Sequence, residues 1–361
     1  QPAQMAEGLP DKIIRAMKIV DGLGAYGMTY IEDPTAPFEA VFGKAGLIDT
    51  VRFPRTTLRV HSGDCDDTTA LLASLLESAS VHTAIMTTPG HVFLAFDTGE
   101  SASSAWMFNV GGYRAISYSG SLWLPIETTV LSQGFASAWK IASQLVTKYQ
   151  GTTQLEFIPT ATAQDSYPAM PLSVASFNIL QPAPESVTRF EVKSTSQLMS
   201  TLVSPAESEL AKQSESEQGN AAVTASLKLG ILRARFGRLN AAAEVFANLI
   251  RDVPGSLPAY LNLANVQVLM HDLPSAQDTL QRAESQVPES PSILFLLAQV
   301  ARERSDRTAE AGYLARLAKV SPTLAARLGR EAGGAASSSS LGTERAASEA
   351  NVFDPVWSAG D

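Results

Sequence analysis

The stretch from Gly63 to Leu72 contains residue types that could carry out nucleophilic chemistry. It holds Cys65, the only cysteine among 361 residues, immediately before an apolar run with helical spacing. Asp64 can cap that helix, and Asp67, three residues on, occupies the reciprocal capping position. The free N–H groups and the positive end of the helix dipole favour a thiolate, the form that attacks a carbonyl carbon.

Two interpretations of Cys65 remain open at this point. The neighbouring Asp64, Asp66 and Asp67 oppose a thiolate because like charges disfavour one another, so a cationic partner such as histidine is needed. A lone cysteine at a helix start is equally well explained as a buried structural residue. This stretch alone does not choose between a nucleophile and a structural cysteine.

A catalytic thiolate needs a base, and the base needs a group that orients it. The four histidines are at positions 61, 82, 91 and 271. We expect His82 and His271 at the surface, and His61 on the loop before the Cys65 helix. His91 follows a Pro-Gly turn and opens a predicted strand at the rim of a sheet, where a cleft can form. His91 is therefore the candidate base, and a half-exposed strand residue without a role is the simpler alternative.

The acid that would orient His91 can be chosen by geometry. Asp97 lies on the same predicted strand and the same face, but six residues at ~3.3 Å each separate the two by about 20 Å. The acid must then come from an adjacent strand. Glu127 lies on a separate predicted strand and can lie beside His91, which leaves Asp97 as a strand-end or turn residue.

The elements that must position these residues form an α+β pattern over residues 1–150. We expect an antiparallel sheet between N-terminal helices and a closing helix. The predicted helices cover 10–22, 37–45, Cys65 to about Ser80, and 135–149, and the predicted strands cover 83–87, 91–97, 106–110 and 121–129.

The second half of the chain contains a repeat. Residues 151–220 are rich in Pro, Ser, Thr and Ala and are interpreted as a linker that packs against the first domain. In residues 221–322, proline recurs at positions 254, 288 and 322, and 288 − 254 and 322 − 288 are both 34. This period, with small and large apolar residues at matching positions, predicts three tetratricopeptide-like helix pairs. The tail, 323–361, is predicted to be mostly disordered, with 353–357 as a short docking motif or an apolar stretch without function.

Composition excludes several classes of function. A net charge of −9 argues against nonspecific nucleic-acid binding, and no apolar run reaches the length of a membrane span. The chain begins at Gln1, so we expect a processed product or a piece of a longer protein. No cluster has zinc spacing. A metal site made by His61, Asp64, Asp66 and Asp67 is a further alternative, although acidic residues at a helix start ordinarily compensate the helix dipole.

Three ordered motifs carry a resemblance to a known family. They are Gly-Asp-Cys-Asp-Asp at 63–67, Pro-Gly-His-Val-Phe at 89–93 and Trp-Leu-Pro-Ile-Glu-Thr-Thr at 123–129. Together they resemble the transglutaminase-like cysteine superfamily, and a bacterial subgroup that joins this domain to tetratricopeptide (TPR) repeats is similar in both segments. Glu127 and Thr128 depart from the family's third motif, Trp-x-Pro-x-Asp-Pro-Thr.

The resemblance implies a papain-like α+β domain followed by an all-α TPR solenoid. It implies acyl transfer by Cys65 as nucleophile, His91 as base and Glu127 as the orienting acid, with no cofactor. The repeats would recruit a protein or peptide, and the family's tendency points to the bacterial envelope or periplasm. The alternative function is a catalytically silent transglutaminase-like/TPR scaffold within an envelope assembly.

Overall fold

The computed structural model describes residues 9–32, 50–168, 180–328 and 357. The chain divides into two compact units, Gln1–Ala206 and Glu207–Asp361. The predicted helix at 37–45 lies outside the described residues, as does the predicted tail except for residues 323–328 and 357. Each unit is described by itself below.

The first unit combines helices with a β-sheet. Its longer helices begin and end at residues that suit those positions: α1 follows Pro10 and ends before Gly27, which has a left-handed φ of 85°. The helices are α1 (Asp11–Tyr26), α2 (Pro54–Val60), α3 (Cys65–Ser78), α4 (Ala105–Phe108), α5 (Phe135–Tyr149), α6 (Thr160–Ser166) and α7 (Pro184–Leu198). A π-helical segment, Met199–Val203, joins α7 to α8 (Ser204–Ser216), and the boundary between the units falls within α8.

Five antiparallel strands form the main sheet of this unit, in the spatial order β5-β6-β4-β3-β7. The tight turn at Pro89-Gly90 pairs Thr88 with His91, and Leu94 pairs with Ile126. The strands are β3 (Thr83–Thr88), β4 (His91–Ser101), β5 (Ile116–Tyr118), β6 (Ser121–Ile126) and β7 (Glu156–Pro159). Two short strands, β1 (Thr29–Tyr30) and β2 (Ser62–Gly63), pair in parallel, and β2 comes directly before α3 in the chain.

One predicted strand is a helix, and the strands β5 and β7 of the sheet were not predicted. The predicted strand 106–110 is wrong: Ala105–Phe108 is a short helix that buries Met107 and Phe108, and the strand of this region is β5. Short apolar runs cannot be assigned to helix or strand from pattern alone. The strand β7 lies within the predicted linker 151–220, where it completes the sheet beside β3.

The core of the first unit lies between the sheet and α5. Alternate residues of β3, β4 and β6 point to this face, as the period of two requires. The buried cluster contains Ala84, Met86, Phe93, Ala95, Trp123, Ala142 and Val146. Helix α3 also packs against β3 and β4, and this packing fixes the position of Cys65 relative to the strand that begins at His91.

A buried carboxylate joins three helices of this unit. Asp21 of α1 accepts hydrogen bonds at Oδ1 from the backbone N of Phe135 (2.8 Å) and from Oγ of Ser194 in α7 (2.7 Å). Its Oδ2 is buried and has no hydrogen-bond partner among the described residues. Burial raises the pKa of Asp21 to about 6, although both hydrogen bonds lower it.

The pKa of Asp21 predicts a pH-dependent effect of Asp21→Asn. The folded carboxyl takes up its proton near pH 6 and the unfolded one near 3.8, so wild-type stability falls as the pH rises between these values. Asparagine does not ionise, so the variant does not lose stability in this way. We expect equal stability near pH 4 and a variant more stable by about 1–3 kcal/mol above pH 7. Urea unfolding followed by tryptophan fluorescence measures this, because three of the four tryptophans, at 106, 123 and 139, lie in the first unit.

Asp11→Asn is the matched control for that experiment. Asp11 lies on the same helix, but its side chain is 69% exposed. The control should change stability by less than about 1 kcal/mol at either pH, as expected for an exposed ion pair. A variant at Asp21 that is less stable than wild type above pH 7 would contradict the prediction.

The second unit is all-helical and consists mainly of three helix pairs. The second helix of each pair begins 34 residues after the one before, at Leu239, Leu273 and Arg307. The pairs are α9 (Asn220–Arg235) with α10 (Leu239–Asp252), α11 (Leu257–Leu269) with α12 (Leu273–Gln286), and α13 (Pro291–Glu303) with α14 (Arg307–Val320). This arrangement is consistent with the TPR solenoid that the period predicts.

Small residues let the paired helices approach closely, as the repeat pattern requires. A Cβ added to Gly230 in α9 would lie 2.4 Å from Cε1 of Phe246 in α10. Phe246 and its equivalent Leu280 are both fully buried, whereas Leu314, in the last pair, is half-buried. Residues 322–328 are helical and follow the last pair, where Arg302 donates to the backbone O of Leu328 (3.0 Å). Across the described ranges, no helix has both the length and the apolar content needed to cross a membrane.

Candidate active site

Cys65 is the first residue of α3, as the capping pattern predicts. The backbone N of Asp67 donates to Oδ1 of Asp64 (3.3 Å) and to Oδ1 of Asp66 (2.7 Å). These contacts satisfy one of the N–H groups at the helix start that have no partner within the helix. Cys65 is 5% exposed, so the thiol lies at the positive end of a 14-residue helix, largely shielded from water.

The acidic residues around Cys65 are partly neutralised by a cation that the sequence analysis did not identify. Arg52 donates its backbone N to Oδ1 of Asp67 (2.6 Å), and its Nη1 lies 3.3 Å from Oδ2 of the same carboxylate. Burial raises the pKa of Asp67, and the hydrogen bond and positive charge of Arg52 partly oppose that shift. No local pattern indicates this pair, because the two residues meet only through the fold.

Side-chain oxygens of Asp64, Asp66 and Asp67 lie within 4.8 Å of one another, a spacing that could hold a cation. Each carboxylate already accepts a hydrogen bond from a nearby backbone N–H. His61, the fourth residue of the predicted metal site, is not part of this group. Its ring stacks on Tyr26 at 4.2 Å, and its Nδ1 lies 3.1 Å from the backbone O of Tyr26.

His91 and Glu127 form an ion pair beside the thiol. Nε2 of His91 lies 2.8 Å from Oε2 of Glu127, and the Cys65 side chain lies near enough to the same imidazole to raise its pKa. Since Nε2 faces Glu127, Nδ1 is the ring nitrogen left for the thiol. The structure therefore brings together the three side chains singled out from the sequence, which come from positions 65, 91 and 127.

Glu127 is held in a fixed orientation by a residue that the sequence analysis did not identify. Strand β6 ends at Ile126, three residues earlier than predicted, and Glu127 caps the 3₁₀ segment Thr128–Gln133 that follows. Thr129 donates both its backbone N (3.0 Å) and its Oγ1 (2.7 Å) to Oε1 of Glu127. One carboxylate oxygen thus accepts the hydrogen bonds from Thr129, and the other contacts His91. A signal was present in the sequence, since an acid followed two residues later by threonine suits a side-chain cap.

The two partners of this ion pair have pKa values shifted in opposite directions. Burial lowers the pKa of His91, but the hydrogen bonds and negative charges of Cys65 and Glu127 raise it from 6.5 to about 10. Burial raises the pKa of Glu127, and the contacts with His91 and Thr129 lower it to a net value below 4.5. The stabilisation that protonated His91 contributes is complete below pH 6.5 and is lost as the pH rises toward 10. The stabilisation that ionised Glu127 contributes is present above pH 4.5. The pair therefore stabilises the fold fully between pH 4.5 and 6.5.

The remaining candidates lie away from this cluster. Asp97 forms an ion pair with Lys12 (2.6 Å), so it does not orient His91, as the distance along the strand indicated. His82 lies 3.4 Å from Glu77 and is exposed, and His271 has a left-handed backbone conformation just after α11. Of the four histidines, His91 alone contacts the thiol.

Comparison with known proteins supports the repeat assignment. Residues 234–300 match the family model of the tetratricopeptide repeat. A search of curated proteins found no match. Tetratricopeptide repeats suggest protein–protein interaction, and the matched range covers the helices α10 to α12 and most of α13.

Proposed function

We propose that the first unit is a transglutaminase-like cysteine enzyme that transfers an acyl group, and that the TPR repeats recruit its protein or peptide substrate. The observation that supports this most strongly is the grouping of Cys65, His91 and Glu127, with 2.8 Å between the imidazole and the carboxylate and the thiol near enough to raise the pKa of the imidazole. The reaction class is hydrolysis of an amide or peptide bond.

In the first step, the Cys65 sulfur attacks the carbonyl carbon of the substrate, and the carbonyl oxygen takes the negative charge. The backbone N–H of Cys65, at the first position of α3, is a candidate donor to that oxyanion. The imidazolium of His91 then gives its Nδ1 proton to the leaving amine. The C–N bond breaks, and a thioester remains on Cys65.

In the second step, His91 accepts a proton from water while the water oxygen attacks the thioester. The C–S bond breaks, the acid is released, and the thiolate–imidazolium pair is restored. Glu127 stabilises the imidazolium and keeps Nε2 protonated, so that Nδ1 faces the sulfur. By the same family resemblance, we propose a location in the bacterial cell envelope or periplasm.

The pH dependence of Cys65 alkylation tests the proposal. Cys65 is the only cysteine, so iodoacetamide reports on it alone. An ordinary thiol reacts about tenfold more slowly for each pH unit below its pKa of about 8.5. We expect the native chain to keep most of its pH 9 rate at pH 6, the same chain unfolded in urea to lose it, and His91→Ala to behave like the unfolded chain.

A catalytically silent scaffold is the second candidate, and the low exposure of Cys65 with three neighbouring aspartates supports it. The scaffold predicts that the native and unfolded chains share one pH profile, shifted only in absolute rate. The ratio of the alkylation rates at two pH values reports ionisation of the thiol, because its accessibility affects both rates equally. An ordinary thiol profile in the native chain would refute the enzymatic proposal and leave the scaffold.

A further inference from the structure

Three buried threonine hydroxyls lie between the Cys65 helix and the segment that follows Glu127. Oγ1 of Thr128 lies 2.9 Å from Oγ1 of Thr69 and 3.2 Å from Oγ1 of Thr68. It also donates to the backbone O of Cys65 at 3.4 Å. The three threonines are at most 2% exposed, so water does not compete for these hydrogen bonds.

One set of donors and acceptors satisfies every hydroxyl of this cluster. Oγ1 of Thr68 donates to the backbone O of Asp64 at 2.6 Å, so its single proton is used within α3. A hydroxyl has one proton and two lone pairs. Thr128 can therefore donate its proton to the carbonyl of Cys65 and accept one from Thr69. Within these three hydroxyls, Thr128 is the member that comes from outside α3.

Thr128 is also the covalent neighbour of Glu127. A shift of Thr128 away from α3 would move the Glu127 carboxylate, and with it the imidazole that Glu127 holds through Nε2. The carbonyl that Thr128 contacts belongs to the residue that carries the sulfur. One hydroxyl thus links the two halves of the site, the thiol on its helix and the ion pair at the sheet edge. The related motif has proline at this position, and proline has no hydroxyl to make this contact.

We propose that Thr128 is a positioning residue that fixes the distance between the Cys65 sulfur and the His91–Glu127 pair. The inference rests on the proposed function, because positioning matters only if the thiol reacts. Loss of the hydroxyl leaves Thr69 without this partner in a buried site and releases the contact to Cys65. The effect falls on thiolate formation, because it depends on the short distance between sulfur and imidazolium.

The test compares Thr128→Val, Thr128→Ser and Thr98→Val in the full chain. Valine keeps the shape of threonine and removes the hydroxyl, and serine keeps the hydroxyl. Thr98 is a matched control: it is 2% exposed, and its Oγ1 donates to the backbone O of Leu122 at 2.7 Å, in the same sheet. The readouts are the ratio of iodoacetamide alkylation rates at pH 6 and pH 9, and the melting temperature.

We expect Thr128→Val to lower that ratio about tenfold, because the imidazolium favours the thiolate less as the distance between them grows. Thr128→Ser should stay within about twofold of wild type. Thr98→Val should lower the melting temperature without changing the ratio. Thr69→Val is a second variant in case Thr128→Val does not fold, and it should lower the ratio in the same direction.

Three results would overturn the inference, and they differ in whether the proposed function survives. If the wild type is reactive and neither Thr128→Val nor Thr69→Val changes the ratio, the positioning role is refuted and the proposed function remains. A native wild type with the pH profile of the urea-unfolded chain removes the proposed function and the positioning role together. Equal losses of the ratio in Thr128→Val and Thr98→Val would reduce the hydroxyl to a structural contact.

Discussion

Replacing Glu127 with glutamine is expected to slow acylation of Cys65 by about 10²-fold or more. Oε1 of Glu127 accepts two hydrogen bonds from Thr129, one of them from a backbone N–H that can only donate. The amide oxygen of glutamine must therefore face Thr129, and its NH₂ group must face Nε2 of His91. That nitrogen then has to accept, so the proton moves to Nδ1 of a neutral imidazole, which can no longer take the thiol proton.

The measurement is the rate of p-nitrophenolate release in the first turnover with p-nitrophenyl acetate at pH 7. Glu156→Gln is the matched control, because Glu156 belongs to the same sheet but its carboxylate accepts a hydrogen bond from the hydroxyl of Thr87 (3.2 Å) instead of contacting His91. The control should acylate at the wild-type rate. If Glu127→Gln also kept that rate, Glu127 would not determine which nitrogen of His91 carries the proton.

Replacing Phe246 with alanine is expected to destabilise the repeat unit by about 3–5 kcal/mol. The ring is fully buried and fills the space left by Gly230 in the facing helix. Its loss opens a cavity between α9 and α10 that no side chain on Gly230 can occupy. Urea unfolding followed by circular dichroism at 222 nm measures the loss, and unchanged Cys65 alkylation shows that the first unit remains folded.

Gly230→Ala, alone and combined with Phe246→Ala, tests whether these two residues fill the same space. Gly230→Ala places a methyl group against the Phe246 ring and should cost about 1–3 kcal/mol. With Phe246→Ala already present, the same methyl group enters the cavity and should cost less, or stabilise. Additive effects of the two changes would show that Gly230 and Phe246 do not share the contact that the structure gives them.

The repeat unit could be predicted in detail from the sequence because its contacts are local. Each helix packs mainly on neighbours within one or two periods, so a 34-residue spacing specifies the pairs, and the small residue at 230 indicates where helices approach. The start of α3 could be predicted for the same reason, since the N–H of Asp67 and the side chain of Asp64 are three residues apart.

Predictions that depended on distant contacts were less complete. The pattern at 106–110 suits a strand as well as a helix, and only the burial of Met107 and Phe108 decides for the helix. In the site, the resemblance to a family and the strand geometry pointed to Cys65, His91 and Glu127. The catalytic roles of those residues stay predictions.

By itself, the sequence determined the helical repeat, the helix start that carries the single thiol, and the residue types able to react with a carbonyl carbon. These follow from spacing, capping and side-chain chemistry, which act over a few residues. Only the tertiary structure decided that the imidazole lies beside both the thiol and Glu127, that Arg52 offsets Asp67, and that Thr128 contacts the Cys65 carbonyl. Hydrogen bonds and ion pairs act over a few ångströms, and folding brings these groups that close from positions up to 63 residues apart (128 − 65).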